Sequence, residues 1–204
     1  EDIDLGKNVA IVGGGNTAMD ACRTAVRLGA DKVYNIYRRT KDEMPADMIE
    51  IEEAEEEGVI FLNLTNPLEI ISDENGHCRQ MVLQVMELGE PDASGRRAPV
   101  PVEGKTETID VDTVILAIGQ RVNAEGMNGV ELTRKGGLVY DKDTYMTALP
   151  GVFAGGDCGN DKISIAVESI GDAKKSYLIV DAYLRGEEIK YEPNYYVTKK
   201  DGRP

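Results

Sequence analysis

Three short stretches of this 204-residue chain carry residue types that could do chemistry. The first, Gly13-Gly14-Gly15-Asn16-Thr17-Ala18, reads G-x-G-x-x-A. In that spacing Gly13 permits a tight turn, Gly15 lets the backbone approach a pyrophosphate, and Ala18 packs the following helix close to a sheet while its N-terminal amides face the anion. A six-residue match is short, and a purely structural glycine turn is its plain alternative. The second stretch is Tyr37-Arg38-Arg39, with Lys41 two residues on. An NAD site wants an Asp or Glu at that place for the ribose hydroxyls; an arginine fork instead binds a 2′-phosphate bidentately, where a carboxylate would repel it. The pair points to NADP(H) over NAD(H), the bland alternative being two arginines that merely solubilise a loop. The third stretch runs from Leu149 to Asp157 and ends Gly155-Gly156-Asp157. Glycines there allow close approach of a ligand, the carboxylate can accept a sugar hydroxyl, and a following helix end suits a phosphate or a polarised ring.

These stretches need elements to hold them. Asn8 to Val12 is an apolar run bounded by glycine, and Ala18, Ala21, Cys22 and Ala25 repeat on one face of a helix expected over Asn16 to Leu28. Gly29 suits the helix stop, and Lys32 to Tyr37 is the second strand of a right-handed βαβ unit. Pro45 and Gly58 bracket a second helix, followed by a strand at Val59 to Leu62. From Pro67 the period changes to two, with strands expected at Leu68 to Ser72, Gln80 to Leu88, Glu107 to Asp110 and Thr113 to Ile118, separated by turns at Asp73 to Gly76 and Gly89 to Pro99. That is a β-meander appended to the βαβ unit. The glutamate-rich run from Glu50 to Glu57 reads as the solvated face of a helix. After Gln120 come strand-like pieces at Gly129 to Leu132, Gly137 to Tyr140 and Val152 to Ala154, then a helix pattern from Ile163 to Leu184, too little for a full α/β domain.

Composition excludes several classes. The chain is 41% hydrophobic and 29% charged, enough to bury a core, and its net charge of -14 repels nucleic acid and anionic membranes. Its apolar runs stop at about five residues, far short of the ~20 that cross a bilayer, and no signal peptide opens it. Cys22, Cys78 and Cys158 stand too far apart for a CxxC pair, so no metal or iron-sulfur ligand cluster can be written and a reducing, cytoplasmic setting is expected. With His77 alone, there is little scope for a hydrolytic triad.

Together these residues resemble the NADPH-dependent flavin oxidoreductases of the glutamate synthase small (beta) subunit type, within the pyridine nucleotide-disulfide oxidoreductase superfamily. The resemblance covers about Leu5 to Glu188. It rests on Gly13 to Asp20 followed by Arg23, on Tyr37 to Thr40 with Glu43-Met44-Pro45-Ala46, on Ala117 to Gln120, and on Pro150 to Asp157. It implies that Gly13, Gly14, Gly15, Asn16, Thr17 and Ala18 form the pyrophosphate turn and that Arg38 and Arg39 hold the 2′-phosphate of NADP(H). It further implies that Ala117 and Gly119 approach the nicotinamide, and that Gly156 and Asp157 meet the ribityl or pyrophosphate region of FAD. No residue is expected to act as acid, base or nucleophile. The implied chemistry is hydride transfer from NADPH to flavin, then electron transfer to iron-sulfur centres or a partner subunit, in glutamate synthase for the reductive formation of glutamate.

The fold expected is α/β: a Rossmann-like, three-layer NAD(P)-binding domain with a β-meander over residues 5–120, then the C-terminal part of a split FAD-binding domain over 121–204. The FAD-type glycine fingerprint and the cysteine-rich segment of the family do not occur in this sequence, nor does an arginine shortly after Asp157. The chain therefore reads as a fragment, expected to purify without FAD. Ile163, Ile165, Val167, Ile170, Leu178, Ile179 and Val180 should then lack their flavin-domain partners, so that the segment folds back onto its own NADP(H) domain, is mobile or, as the preferred expectation, pairs with a second copy in a homodimer through the C-terminal segment. The alternative from another class is an isolated NADP(H)-binding module without turnover. A thioredoxin-reductase-like disulfide reductase needs a CxxC that is absent.

Overall fold

The computed structural model describes residues 3–91, 97–159 and 166–188, and the chain divides into two units, 1–119 and 120–204. In the first unit the elements run β1 (Asn8–Val12), α1 (Asn16–Arg27), β2 (Lys32–Tyr37), α2 (Met48–Glu56), β3 (Ile60–Asn63), β4 (Thr65–Ser72), β5 (Cys78–Pro91), β6 (Arg97–Asp110) and β7 (Thr113–Leu116). Strands β3-β2-β1-β7 make a parallel sheet and β4-β5-β6 an antiparallel one. This is an α/β fold whose parallel sheet lies between helices on one face and the meander on the other.

The alternation within β1 explains the layering. Val9 and Ile11 join Ala18, Met19, Cys22 and Ala25 of α1 and Ile51 and Ala54 of α2 in one core. Ala10 and Val12 point the other way, into a core with Ile36, Met81, Leu83 and Val111. A parallel strand covered on both faces has to be apolar throughout, and Val-Ala-Ile-Val is. Met81 and Leu83, two apart on β5, supply the opposite wall with the period of a strand.

Local chemistry sets the boundaries. Gly29, at φ +93°, follows α1, and the amides of Gly29 and Ala30 close on the carbonyls of Val26 and Ala25. Asp112, just before β7, accepts the amides of Lys7 and Asn8 at 2.8 Å each and so fixes the start of β1. Those donors hold its carboxyl below the usual carboxylate range. The glutamate-rich helix is only partly the solvated face expected. Glu50, Glu53 and Glu57 clasp the guanidinium of Arg23 at 2.6, 2.7 and 2.9 Å, and Glu57 also takes Arg27 at 2.6 Å, so charge joins α2 to α1.

The meander is longer than its sequence pattern. Strands β5 and β6 run on to Pro91 and back from Arg97, through much of the stretch read as a turn. Most of β6 is solvent-exposed, so its residues carry no apolar alternation to reveal it.

In the second unit, α3 (Ala166–Arg185) is the one long element among the described residues. The strand-like pieces expected there appear as single bridges, Leu132 to Leu138, Leu138 to Gly159 and Met146 to Phe153. Side chains do the rest: Tyr140 stacks on Tyr145 at 5.7 Å, and Phe153 meets Tyr183 of α3 edge-on at 5.4 Å. Ile179 is fully buried, while Leu178 and Val180 are half-buried and Val167 and Ile170 are exposed. Ile163 and Ile165 lie outside the described residues. No described helix is long and apolar enough to cross a membrane.

Candidate functional site

The glycine turn sits at the C-terminal ends of β1 and β2, where open parallel sheets bind ligands. Its three glycines have three different reasons to lack a side chain. Gly13 has φ +145°, and a Cβ there would strike the backbone carbonyl of Ala117, whose carbon would lie 2.9 Å away. A Cβ on Gly14 would come within 2.5 Å of the ring of Tyr37. At Gly15 a Cβ would meet nothing within 4 Å, so this residue faces open space. Gly15 is also the N-cap of α1, with no side-chain cap and no acidic residue in the first turn. The Ala18 and Met19 amides close on the Gly15 carbonyl at 2.9 and 3.2 Å, so the amides of Asn16 and Thr17 are the ones an anion would meet, and the free space before Gly15 fits a pyrophosphate.

Around the turn, the structure brings most of the expected residues together. Ala18 is buried against the sheet, and Thr17 is exposed beside it. Ala117 donates its amide to Val12 at 2.8 Å, which places it directly behind Gly13. Gly119, exposed and at φ +90°, lies two residues further on. Thr17 also lines an apolar groove of about 410 Å³ with Ile3, Leu5, Ala21, Leu28 and Ile115.

The two arginines part company. Arg38 is exposed at the mouth of the site, whereas Arg39 is 9% exposed and its Nε, itself buried, has no hydrogen-bond partner. Asn16 also has an occupation that its sequence position did not announce. Its Oδ1 accepts the amide of Asp47 at 2.8 Å and its Nδ2 donates to the Asp47 carboxylate at 3.2 Å, tying the start of α1 to the N-cap of α2.

Other supporting residues escape sequence reasoning. Asn35 is fully buried, and its Nδ2 donates to the Gly13 carbonyl at 2.9 Å, bracing the turn from below. The signal was a lone amide in the apolar strand Val33-Tyr34-Asn35-Ile36. Cys22 lies 3.8 Å from the same Nδ2, and burial pushes its thiol up to about 12.

In the second unit, Gly156–Cys158 form a short 3-10 turn with Gly155 as its N-cap and Asp157 exposed. Asp172 of α3 holds that turn: one oxygen accepts the Gly156 amide at 3.1 Å and the other the Tyr145 hydroxyl at 2.9 Å. Ser169 donates to the Asp157 carboxylate at 3.3 Å. An exposed carboxylate on a braced glycine turn fits the sugar hydroxyls of a flavin nucleotide, whose hydrogen bonds it can accept. Nothing in the sequence singled out Asp172, because its role depends on the Gly156 amide sixteen residues away along the chain.

Residues 1–173 match the family model described as pyridine nucleotide-disulphide oxidoreductase. The beta subunit of the NADP(+)-dependent formate dehydrogenase of Moorella thermoacetica is 44% identical over 181 residues, covering 88% of this chain and 25% of that protein. The glutamate synthase [NADPH] small chain of Escherichia coli is 38% identical over 179 residues, covering 84% of this chain and 37% of its own length. The chain thus spans well under half of either relative. Thioredoxin reductase of T. acidophilum shares the fold, with a TM-score of 0.71 at 21% identity over 89% of this chain and 53% of that one. The chain belongs to the pyridine nucleotide-disulphide oxidoreductase family, with homologues among glutamate synthase small chains and the beta subunits of NADP-dependent oxidoreductases.

Proposed function

We propose that this chain is the NADP(H)-binding part, with an adjoining flavin-binding segment, of an NADPH-dependent flavin oxidoreductase of glutamate synthase small-chain type. The observation that carries this reading is the placing of open Gly15 and the uncapped N-terminus of α1 beside exposed Arg38, at the ends of neighbouring parallel strands. Gly13, Gly14, Gly15, Thr17 and Ala18 shape the pyrophosphate seat, Asn16 borders it, Arg38 pairs with the 2′-phosphate and Arg39 supports it. Ala117 and Gly119 lie where the nicotinamide enters. Gly156 and Asp157 meet the ribityl or pyrophosphate region of FAD, the Asp157 carboxylate accepting a sugar hydroxyl; FAD when bound would accept hydride from NADPH. The protein's own contribution is to bind and orient, since no acid, base or nucleophile is assigned.

The printed names of the relatives, a formate dehydrogenase beta subunit and a glutamate synthase small chain, support a partner subunit as the destination of the electrons. The three cysteines are free, which supports a reducing, cytoplasmic setting. The exposed Val167, Ile170, Tyr177 and Leu184 of α3 are the surface through which a second copy would dock.

Titration of the chain with NADPH and NADH tests the nucleotide assignment. Replacing Arg38 and Arg39 together by alanine is expected to cost roughly 2 to 4 kcal/mol for NADPH, from two charge-assisted contacts, and little for NADH. Arg38→Ala alone should account for the larger share, since Arg39 is buried. Equal losses for both nucleotides overturn the assignment.

A further inference from the structure

The segment from Arg38 to Asp47 leaves the sheet with both arginines and comes back to the glycine turn. Its return is tied at several points. Tyr37 donates its hydroxyl to the Glu43 carbonyl at 2.9 Å, while its ring lies against Gly14. The Ala46 amide donates to the Gly14 carbonyl at 3.0 Å, and Asn16 holds Asp47 from both sides of its amide. Inside the loop, the Glu43 carboxylate accepts the Thr40 amide at 3.2 Å and the Thr40 hydroxyl at 3.0 Å.

We propose that Tyr37 is a specificity-positioning residue, bridging glycine turn and arginine loop so that a 2′-phosphate and a pyrophosphate are met at one fixed spacing. The inference rests on the NADP(H) reading above and deepens it. Arg38 is exposed and has long side-chain freedom, so its hold on a phosphate depends on how well its backbone is fixed. The ring of Tyr37 fixes one end of that geometry through Gly14 and its hydroxyl fixes the other through Glu43. The residue is half-buried, so its hydrogen bond is partly shielded from competition with water. Removing the Tyr37 hydroxyl spares the Ala46–Gly14 and Asn16–Asp47 ties and the Asn35 brace, so the pyrophosphate seat of Gly13 to Ala18 keeps its own supports. The loss should therefore fall on the phosphorylated nucleotide.

Tyr37→Phe keeps the ring over Gly14 and removes only the hydroxyl. Calorimetric titration of the wild-type chain and the variant with NADP+ and NAD+ reads the effect, with 2′,5′-ADP against 5′-ADP as a pair differing only in the 2′-phosphate. The expected result is a roughly three- to ten-fold weaker NADP+ and 2′,5′-ADP, the size of one hydrogen bond, with NAD+ and 5′-ADP within about two-fold of wild type. Should Tyr37→Phe fail to fold, Thr40→Val opens the same loop at its capping contact and is expected to shift the same ratio. A wild type that prefers NADP+ together with foldable variants whose ratio is unchanged, or which lose both nucleotides equally, overturns the role of Tyr37 and leaves the NADP(H) reading standing. A wild type with no preference overturns both.

Discussion

Substituting alanine at two neighbouring glycines should separate fold from function within one turn. At Gly13 the new Cβ would be driven into the backbone carbonyl of Ala117, the residue that follows β7, at a φ of +145° that L side chains avoid. Neither a backbone oxygen nor a central parallel strand can step aside cheaply. Overpacking costs about 1 to 3 kcal/mol and the backbone strain a similar amount, so Gly13→Ala is expected to lose roughly 2 to 5 kcal/mol. For a chain of this size that is a fall in Tm of roughly 5 to 15 °C. Gly15→Ala meets nothing within 4 Å and keeps an extended N-cap geometry at φ -95° and ψ 175°. It should cost at most about 1 kcal/mol through the weaker cap. Its Cβ, however, would stand in the space left for the pyrophosphate, and nucleotide affinity should drop by at least about ten-fold, the equivalent of 1.4 kcal/mol. Differential scanning fluorimetry without ligand, followed by nucleotide titration of the folded variants, separates the two effects. A Gly13→Ala chain that melts with wild type, or a Gly15→Ala chain that binds as wild type does, would refute this account of the turn.

Two further outcomes concern the frame. The Asp112 carboxyl is held below its ordinary value by the amides of Asn8 and Lys7, so its contribution to stability is present above about pH 4 and is lost as pH falls through the depressed value. Asp112→Asn should therefore cost about 1 kcal/mol at pH 7 in urea unfolding, with the gap to wild type narrowing in acid; a gap that widens there contradicts the sign. The Cys22 thiol, pushed up to about 12 by burial, should resist a disulfide reagent at pH 8 in the native chain and react on denaturation, so rapid native modification at Cys22, located by peptide mapping, would contradict its placement.

How much of this was legible in the sequence follows from what each residue depends on. Strands β1 and β2 stand where the apolar runs and bounding glycines put them, because both faces of these strands are buried and Asn35 is the one polar side chain buried within them. Helix α1 ends one residue short of the expected Leu28. Strand β6 was underestimated because most of its side chains face solvent, and the bridges of the second unit are too short to build a period of two. At the candidate site the glycine spacing was readable. The burial of Arg39, the engagement of Asn16 with Asp47 and the brace from Asp172 were not, since each depends on a partner that only the folded chain brings near.

The pairing of β1 with β7 sets a waiting time on the ribosome. Strand β1 lies between β2 and β7 in the sheet, yet Val9 pairs with Thr113 and Ile11 with Ile115, so one of its neighbours is synthesised long after it. At ~5–20 residues per second, β1 and its helix spend several seconds outside the exit tunnel with one edge unpaired. The meander that covers the second face of the sheet is translated in the same interval, and its Met81 and Leu83 arrive before β7 does. The nascent unit can thus shelter the apolar face of β1 before its open edge, and Asp112, reaching back to Lys7 and Asn8, fastens the chain only as the last strand emerges. Release of the nascent chain much before Leu116 would leave a glycine turn without the carbonyl that Gly13 was shaped to accommodate, and a bare strand edge open to aggregation.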